Sequence, residues 1–128
     1  MSHKSRGINA ERDLVHKLQE KQFAAIRIAG SGNTKEPSTD ILAGNGMRLL
    51  SIECKTVKGK YRYLSHEQIT DFQSFSHKFG AESWIAVRFF RKPWIFLRPE
   101  DLHKTPSQYC ISQDIADKYG LLLDDIVK

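Results

Sequence analysis

Asp40 is followed thirteen residues on by Glu53-Cys54-Lys55. Glu53 and Lys55, at i and i+2, share one face of a strand by its period of two. Two carboxylates and an ammonium on such a face can hold a divalent cation beside a phosphodiester. Cleaving that bond requires an activated water and neutralisation of the charge growing on the phosphate, and a divalent metal supplies both. Mg2+ accepts oxygen ligands and keeps several waters, so two or three carboxylates and substrate oxygens suffice. Mg2+, with Mn2+ as substitute, is therefore the expected cofactor. Asp40 and Glu53 are the expected side-chain ligands, and Cys54 between Glu53 and Lys55 offers its backbone carbonyl. Lys55 is placed to orient or deprotonate the attacking water. Taken alone, the same residues also fit an exposed ion pair on a strand and an acid that opens a strand after a turn.

The local pattern decides whether these groups meet. Residues 40–43 and 47–56 read as two strands around Gly44-Asn45-Gly46, where Asn-Gly signals a tight hairpin. A two-residue loop puts Asp40 opposite Ser51, with Glu53 and Lys55 following on that face. Leu50, Ile52 and Cys54 then form the apolar face. A three-residue loop would reverse the relation.

Asn9 can cap a helix over residues 10–21 whose inward stripe is Leu14, Val15 and Leu18. Glu11 precedes these by three, four and seven positions and shares their side, where an unpaired carboxylate is costly. A cation or a metal is expected to meet it. Residues 23–29 read as a short strand with Arg27 facing away from Ile26 and Ile28, and residues 30–39 as a mobile polar loop. Ser65-His66-Glu67-Gln68 is a capping-box pattern opening a second helix that ends before Gly80, with Ile69, Phe72, Phe75 and Phe79 as its stripe. Residues 84–91 and 94–98 read as a second hairpin about Lys92-Pro93, and the segment 99–128 as short helices near Asp101 and over 121–127. The order predicts an α/β fold, a mixed β-sheet flanked by helices, in a single domain spanning 1–128. Residues 1–8 are expected to form a flexible basic arm.

The formal charge is +5 and the isoelectric point about 9.3. Such a balance favours polyanions, and twelve of the twenty Lys and Arg residues precede residue 63. Lys4 and Arg6 in the N-terminal arm, with Lys58, Lys60 and Arg62, are candidate phosphate contacts. No base-reading motif is visible, so recognition of DNA shape and backbone is expected. No apolar run approaches the roughly 18 residues of a membrane span, and the N-terminus leads into no apolar signal region; a cytoplasmic location is expected. Cys54 and Cys110 form no CxxC pair and read as reduced buried thiols. The five histidines lack ligand spacing, and Gly30-Ser31-Gly32 fits neither a Walker loop nor a dinucleotide fingerprint. No nucleotide cofactor is expected.

Several runs occur in a telling order: Ala10-Glu11-Arg12-Asp13-Leu14, Arg27-Ile28-Ala29-Gly30-Ser31-Gly32, Asp40-Ile41-Leu42-Ala43-Gly44-Asn45-Gly46, Ile52-Glu53-Cys54-Lys55 and Phe75-Ser76-His77-Lys78-Phe79-Gly80. Together, over roughly residues 4–100, they resemble the archaeal-type Holliday junction resolvases of the restriction-endonuclease-like PD-(D/E)xK superfamily. The resemblance implies that fold, and an endonuclease resolving four-way DNA junctions by symmetric paired nicks. It implies Glu11 as a helix-borne acid completing the metal site of Asp40 and Glu53, and Lys55 as the catalytic lysine. It further implies Ser31 near the scissile phosphate, Arg12 and Arg27 as basic residues needed for activity or DNA contact, and a homodimer formed through Phe72 and Phe75; Lys35 joins the DNA-binding candidates by its charge alone. Pro37-Ser38-Thr39-Asp40 departs from the adjacent Pro-Asp of the superfamily name. A restriction-type or repair nuclease, or a non-catalytic DNA-binding protein with this fold, are the alternatives.

Overall fold

In a computed structural model, residues 3–30 and 36–128 are described, with side chains from residue 7 onward in the first segment. The chain runs α1 (His3–Glu20), β1 (Ala24–Arg27), β2 (Ile41–Gly44), β3 (Leu49–Val57), β4 (Tyr61–Ser65), α2 (His66–Phe79), β5 (Glu82–Phe89) and β6 (Ile95–Leu97). A 3-10 turn at Pro99–Asp101 then leads to β7 (His103–Lys104), β8 (Gln108–Ser112), α3 (Gln113–Tyr119) and α4 (Leu123–Ile126). No helix among the described residues is long and apolar enough to cross a membrane.

Five strands form the main sheet in the order β1-β2-β3-β5-β6, antiparallel except for the parallel β3–β5 pair. The parallel pair requires a crossover, and α2 lies within it. Alternation along the strands divides the core in two. Leu50 and Ile52 of β3, with Trp84 and Ala86 of β5, meet Leu14 and Leu18 of α1 on one face. Ile85, Val87 and Phe89 of β5 meet Ile69 and Phe72 of α2 on the other. The expected mixed sheet flanked by helices is therefore present. A second, antiparallel sheet, β4-β8-β7, closes the α2 side.

The hairpin differs from expectation in length but keeps its faces. Ile41 pairs with Ile52 and Leu42 with Ser51, so the loop is Asn45–Arg48 with four residues and not two. Asn45 Oδ1 accepts from the backbone N–H groups of Met47 (3.0 Å) and Arg48 (2.7 Å), and Gly46 takes φ +88°. The asparagine side chain thus stabilises a wider turn than the Asn-Gly pair alone suggests. Because the register moves by two, every side chain stays on its expected face.

Other boundaries shift for physical reasons. α1 begins at His3, so residues 3–8 belong to a helix and Asn9 lies inside it. Gly7 costs a helix only about 1 kcal/mol relative to Ala, too little to end one anchored by Ala10, Leu14 and Leu18. In β1 the apolar Ile26 faces solvent at 60% exposure while Ala25 is buried, so Arg27 shares the inward side. α2 follows its capping box as expected: Ser65 Oγ accepts from Gln68 N, Gln68 Oε1 accepts from Ser65 N, and Gly80 ends the helix at φ +79°. β8 and α3 are unanticipated, since β8 is held by β4, more than forty residues earlier in the chain.

Arg48 joins the hairpin loop to the rest of the molecule. Its guanidinium makes a two-point contact with Glu82 at 2.9 and 2.8 Å and also donates to the carbonyl of Ile126. Hydrogen bonding to Arg48 holds the Glu82 carboxyl below the usual range. Its stabilisation is present above the ordinary carboxylate value and lost as pH falls through the lowered one. Arg48→Ala should cost about 1–2 kcal/mol in urea unfolding at neutral pH. That cost should shrink in acid as Glu82 protonates.

Candidate active site

The strands dictate where the acids meet. β2 pairs with β3 only as far as Ile52, so Glu53–Val57 are paired with β5 alone. At this fork Asp40 takes over what β2 would have supplied. Its carboxylate Oδ2 accepts the Cys54 N–H at 2.8 Å. Its own N–H donates to the Ile52 carbonyl at 3.2 Å, and its carbonyl accepts the Ile28 N–H at 2.8 Å. Thr39 Oγ1 adds a 2.9 Å bond to Ile52 O. Asp40 is buried, at 9% exposure, and the backbone fixes its direction.

Glu53 and Lys55 follow at the same end of β3, with Glu53 Oε2 3.5 Å from Lys55 Nζ. Both are largely covered, their side chains 20% and 14% exposed. Burial, and then the neighbouring Asp40 charge, push the Glu53 carboxyl up to about 7 against the opposing pull of Lys55. Glu11 approaches from α1, its Oε1 3.5 Å from Arg27 Nη1. Burial and Asp40 raise its pKa as well, against the opposing influence of Arg27 and Lys55. The cation that the core-side position of Glu11 demanded is thus Arg27. Cys54 is a free thiol, pushed far up by burial and then by the three carboxylates.

Three acids therefore lie within electrostatic range of one another with more negative charge than Lys55 and Arg27 relieve, and a divalent cation would suit the excess. No three acidic, histidine or cysteine side chains among the described residues close on a common point. The fit is to a cation that keeps part of its water shell, as magnesium does. The Cys54 carbonyl adds a further oxygen: on a strand it lies on the same edge as the Cys54 N–H, which points to Asp40.

A cleft of about 910 Å3 opens from Glu11, Cys54 and Lys55 along the ends of β3 and β5. Lys58 and Arg62 line one side, and Arg62 Nη1 donates to the Thr56 carbonyl at 2.8 Å. Arg88, Phe90, Arg91 and Trp94 line the other. These four were not singled out from sequence, where they read as parts of a β-hairpin; the parallel pairing of β5 with β3 brings them to the acids. Arg12 and Lys60 are exposed. Lys4 and Arg6 fall in α1, their side chains outside the described residues, as are Ser31 and Lys35 entirely. Phe72 is buried at 2% exposure in the core of its own chain, which removes it from any partner contact. Its position on the α2 stripe turns it to the sheet, whereas Phe75 and Phe79 stack at 5.5 Å, with Phe79 half exposed.

Residues 2–128 match the family model for the archaeal Holliday junction resolvase (Hjc). The crossover junction endodeoxyribonuclease Hjc of Archaeoglobus fulgidus is 40% identical over 112 residues, covering 88% of this chain and 82% of that protein. The crossover junction endodeoxyribonuclease Hje of Saccharolobus solfataricus is 40% identical over 98 residues, 73% of this chain and 72% of the other. The solved structure of Archaeoglobus fulgidus Hjc, a Holliday junction resolvase from an archaeal hyperthermophile, superposes with a TM-score of 0.88 at 35% identity, covering 95% of this chain and all of that one.

The crowding of the acids is measurable on the metal-free protein. Between its ordinary pKa of 4.5 and about 7, Glu53 binds more protons in the folded than in the unfolded state, so stability falls as pH rises through that window. Glu53→Gln should flatten this fall and, above the window, raise stability by about 1–3 kcal/mol in denaturant unfolding. An unchanged pH slope would contradict the burial of Glu53 against Asp40.

Proposed function

Because the chain belongs to the archaeal Holliday junction resolvase family, we propose that its buried carboxylates and Lys55 form the metal-dependent centre with which it nicks four-way DNA junctions. The observation that carries this reading is the fork at Ile52, where Asp40 and Glu53 gather behind Cys54 and Lys55, which line a basic cleft together with Glu11. The family's restriction-endonuclease-like fold, shared with the solved relative, is expected to place its chemistry there. The alternatives, a nuclease for other DNA or a non-catalytic binder, gain no specific support from the geometry.

Asp40 and Glu53 would hold the cation, with the Cys54 carbonyl beside them and Glu11 reaching in from α1. Bound magnesium or manganese would supply charge neutralisation at the phosphate and an acidified water. Asp40 arrives pre-oriented by the Cys54 N–H, so little ordering remains when substrate binds. Lys55 Nζ, tethered by Glu53, is within reach to orient the attacking water or donate to a phosphate oxygen. Arg27 restrains Glu11, and this gives it a role at the site apart from direct DNA contact. Lys58, Lys60, Arg62 and Arg12 offer exposed charge for phosphates, a contribution that weakens with salt.

Symmetric cutting calls for two centres, which a twofold dimer would provide. Phe75 and Phe79 present a stacked aromatic pair on the outer side of α2 and are suited to a self-complementary contact. Phe72 is not available for it.

A supercoiled plasmid carrying an extruded cruciform tests both parts of this reading. With Mg2+ the wild-type protein should yield linear product by paired nicks. Asp40→Asn and Glu53→Gln should stop cutting while still binding the junction, and Lys55→Ala should slow it about 100-fold or more. Phe79→Lys should shift product toward singly nicked circles. Full cutting by the Asp40 or Glu53 variant would refute the site, and equal cutting of plain duplex would refute the junction specificity.

A further inference from the structure

The cleft extends away from Glu11 and Lys55, and its far end has chemistry that metal binding does not use. β3 and β5 run parallel and stop together, with Val57 beside Phe89. From these adjacent ends the chain continues as the Lys58 turn on one side and Phe90-Arg91 on the other. Phe90 is 73% exposed, the most exposed aromatic side chain among the described residues. An aromatic ring left in water contributes little to the fold, so packing does not account for the ring at this position.

The surroundings of this ring narrow what it can bind. The Arg91 guanidinium lies 5.1 Å from the Phe90 ring centre, and Arg91 holds the left-handed backbone conformation, φ +58°. A bulky residue rarely adopts that conformation, and such strain tends to cluster where function requires it. Lys58, Arg62 and Arg88 also line the cleft, and Glu11 is its only acid among the described residues. Tyr61, 58% exposed, adds a second aromatic on the Lys58 side. Flat rings among cations suit a nucleobase with its phosphodiester, since every base has a face that can stack and the backbone matches the charge. An apolar peptide would not match the positive charge of this lining.

Geometry also sets the reach. Lys55 lies opposite Val87 in the parallel pair, so Phe90 is three residues further along, about 10 Å at the strand rise. That equals about three base steps of 3.4 Å. Resting on the nuclease reading above, we propose that Phe90, backed by Arg91, is a platform for a nucleobase unstacked from the substrate strand, within about three nucleotides of the phosphate that would lie beside Lys55 and the cation of Asp40 and Glu53. Unstacking is cheapest where pairing or stacking is already interrupted. The platform therefore favours a branch point over continuous duplex, and specificity for shape arises without reading base edges.

The test measures equilibrium binding of wild type, Phe90→Ala and Phe90→Trp, without divalent metal, to a four-way junction, a linear duplex and a single-stranded oligonucleotide. Phe90→Ala should bind junction and single strand about 5- to 100-fold more weakly and duplex nearly as wild type does, with Phe90→Trp restoring affinity. Thermal unfolding of the variants should match wild type, because the ring is outside both core clusters. 2-Aminopurine at the branch point should change its emission on binding wild type and not on binding Phe90→Ala. Equal affinities of wild type and Phe90→Ala for junction and single strand would overturn the platform. If wild type shows no preference for junction over duplex, the junction reading fails. The platform then stands or falls on the single-strand comparison alone.

Discussion

The hydrogen bond from the Cys54 N–H to the Asp40 carboxylate is the contact on which the site depends. At Ile52 the sheet loses a ladder partner, and an unpaired backbone N–H inside a protein is costly. Asp40 satisfies it with a side chain instead of a main chain. That substitution lets β3 continue past the end of its pairing with β2 and fixes the carboxylate beside Glu53 and Cys54. The remaining bonds to Asp40, from Ile28 and to Ile52, fix its backbone in the same place.

This economy has an electrostatic cost. Asp40, Glu53 and Glu11 are drawn together in partly dry surroundings, and the pKa values of Glu53 and Glu11 rise in response. Lys55 and Arg27 offset only part of the repulsion. A protein that merely needed a stable strand end would do better with an apolar residue at Glu53, so the retained acid points to function at the expense of stability. The same end of the sheet receives the basic and aromatic side chains of Lys58, Arg88 and Phe90, because parallel strands terminate side by side and their following loops must share the space.

Local patterns made much of this visible in the sequence. The alternation of Leu50, Ile52 and Cys54 against Ser51, Glu53 and Lys55 reports the faces of β3, and it holds despite the longer Asn45–Arg48 turn, because a shift of two conserves parity. The Ser65 capping box and Gly80 bound α2 through interactions between near neighbours in the chain. What escaped reading depends on distant partners. β8 is held by β4 across the second sheet. Phe72 and Phe79 occupy one helical stripe, yet only the packed core shows that the first is buried and the second half exposed. Arg88 and Phe90 look like ordinary strand-end residues until the parallel β3–β5 pair brings them to the cleft that Lys55 also lines. The function class rested on the ordered family motifs, which the match over residues 2–128 bears out.

The central claim is that the acids form a cation site organised before DNA arrives. Thermal unfolding of the DNA-free protein against rising Mg2+, at constant ionic strength, tests it most directly. A ligand that binds only the folded state raises the midpoint as its concentration passes its dissociation constant. The wild-type midpoint should climb with magnesium, and those of Asp40→Asn and Glu53→Gln should stay flat. A flat wild-type response, or an equal climb in all three proteins, would contradict the account.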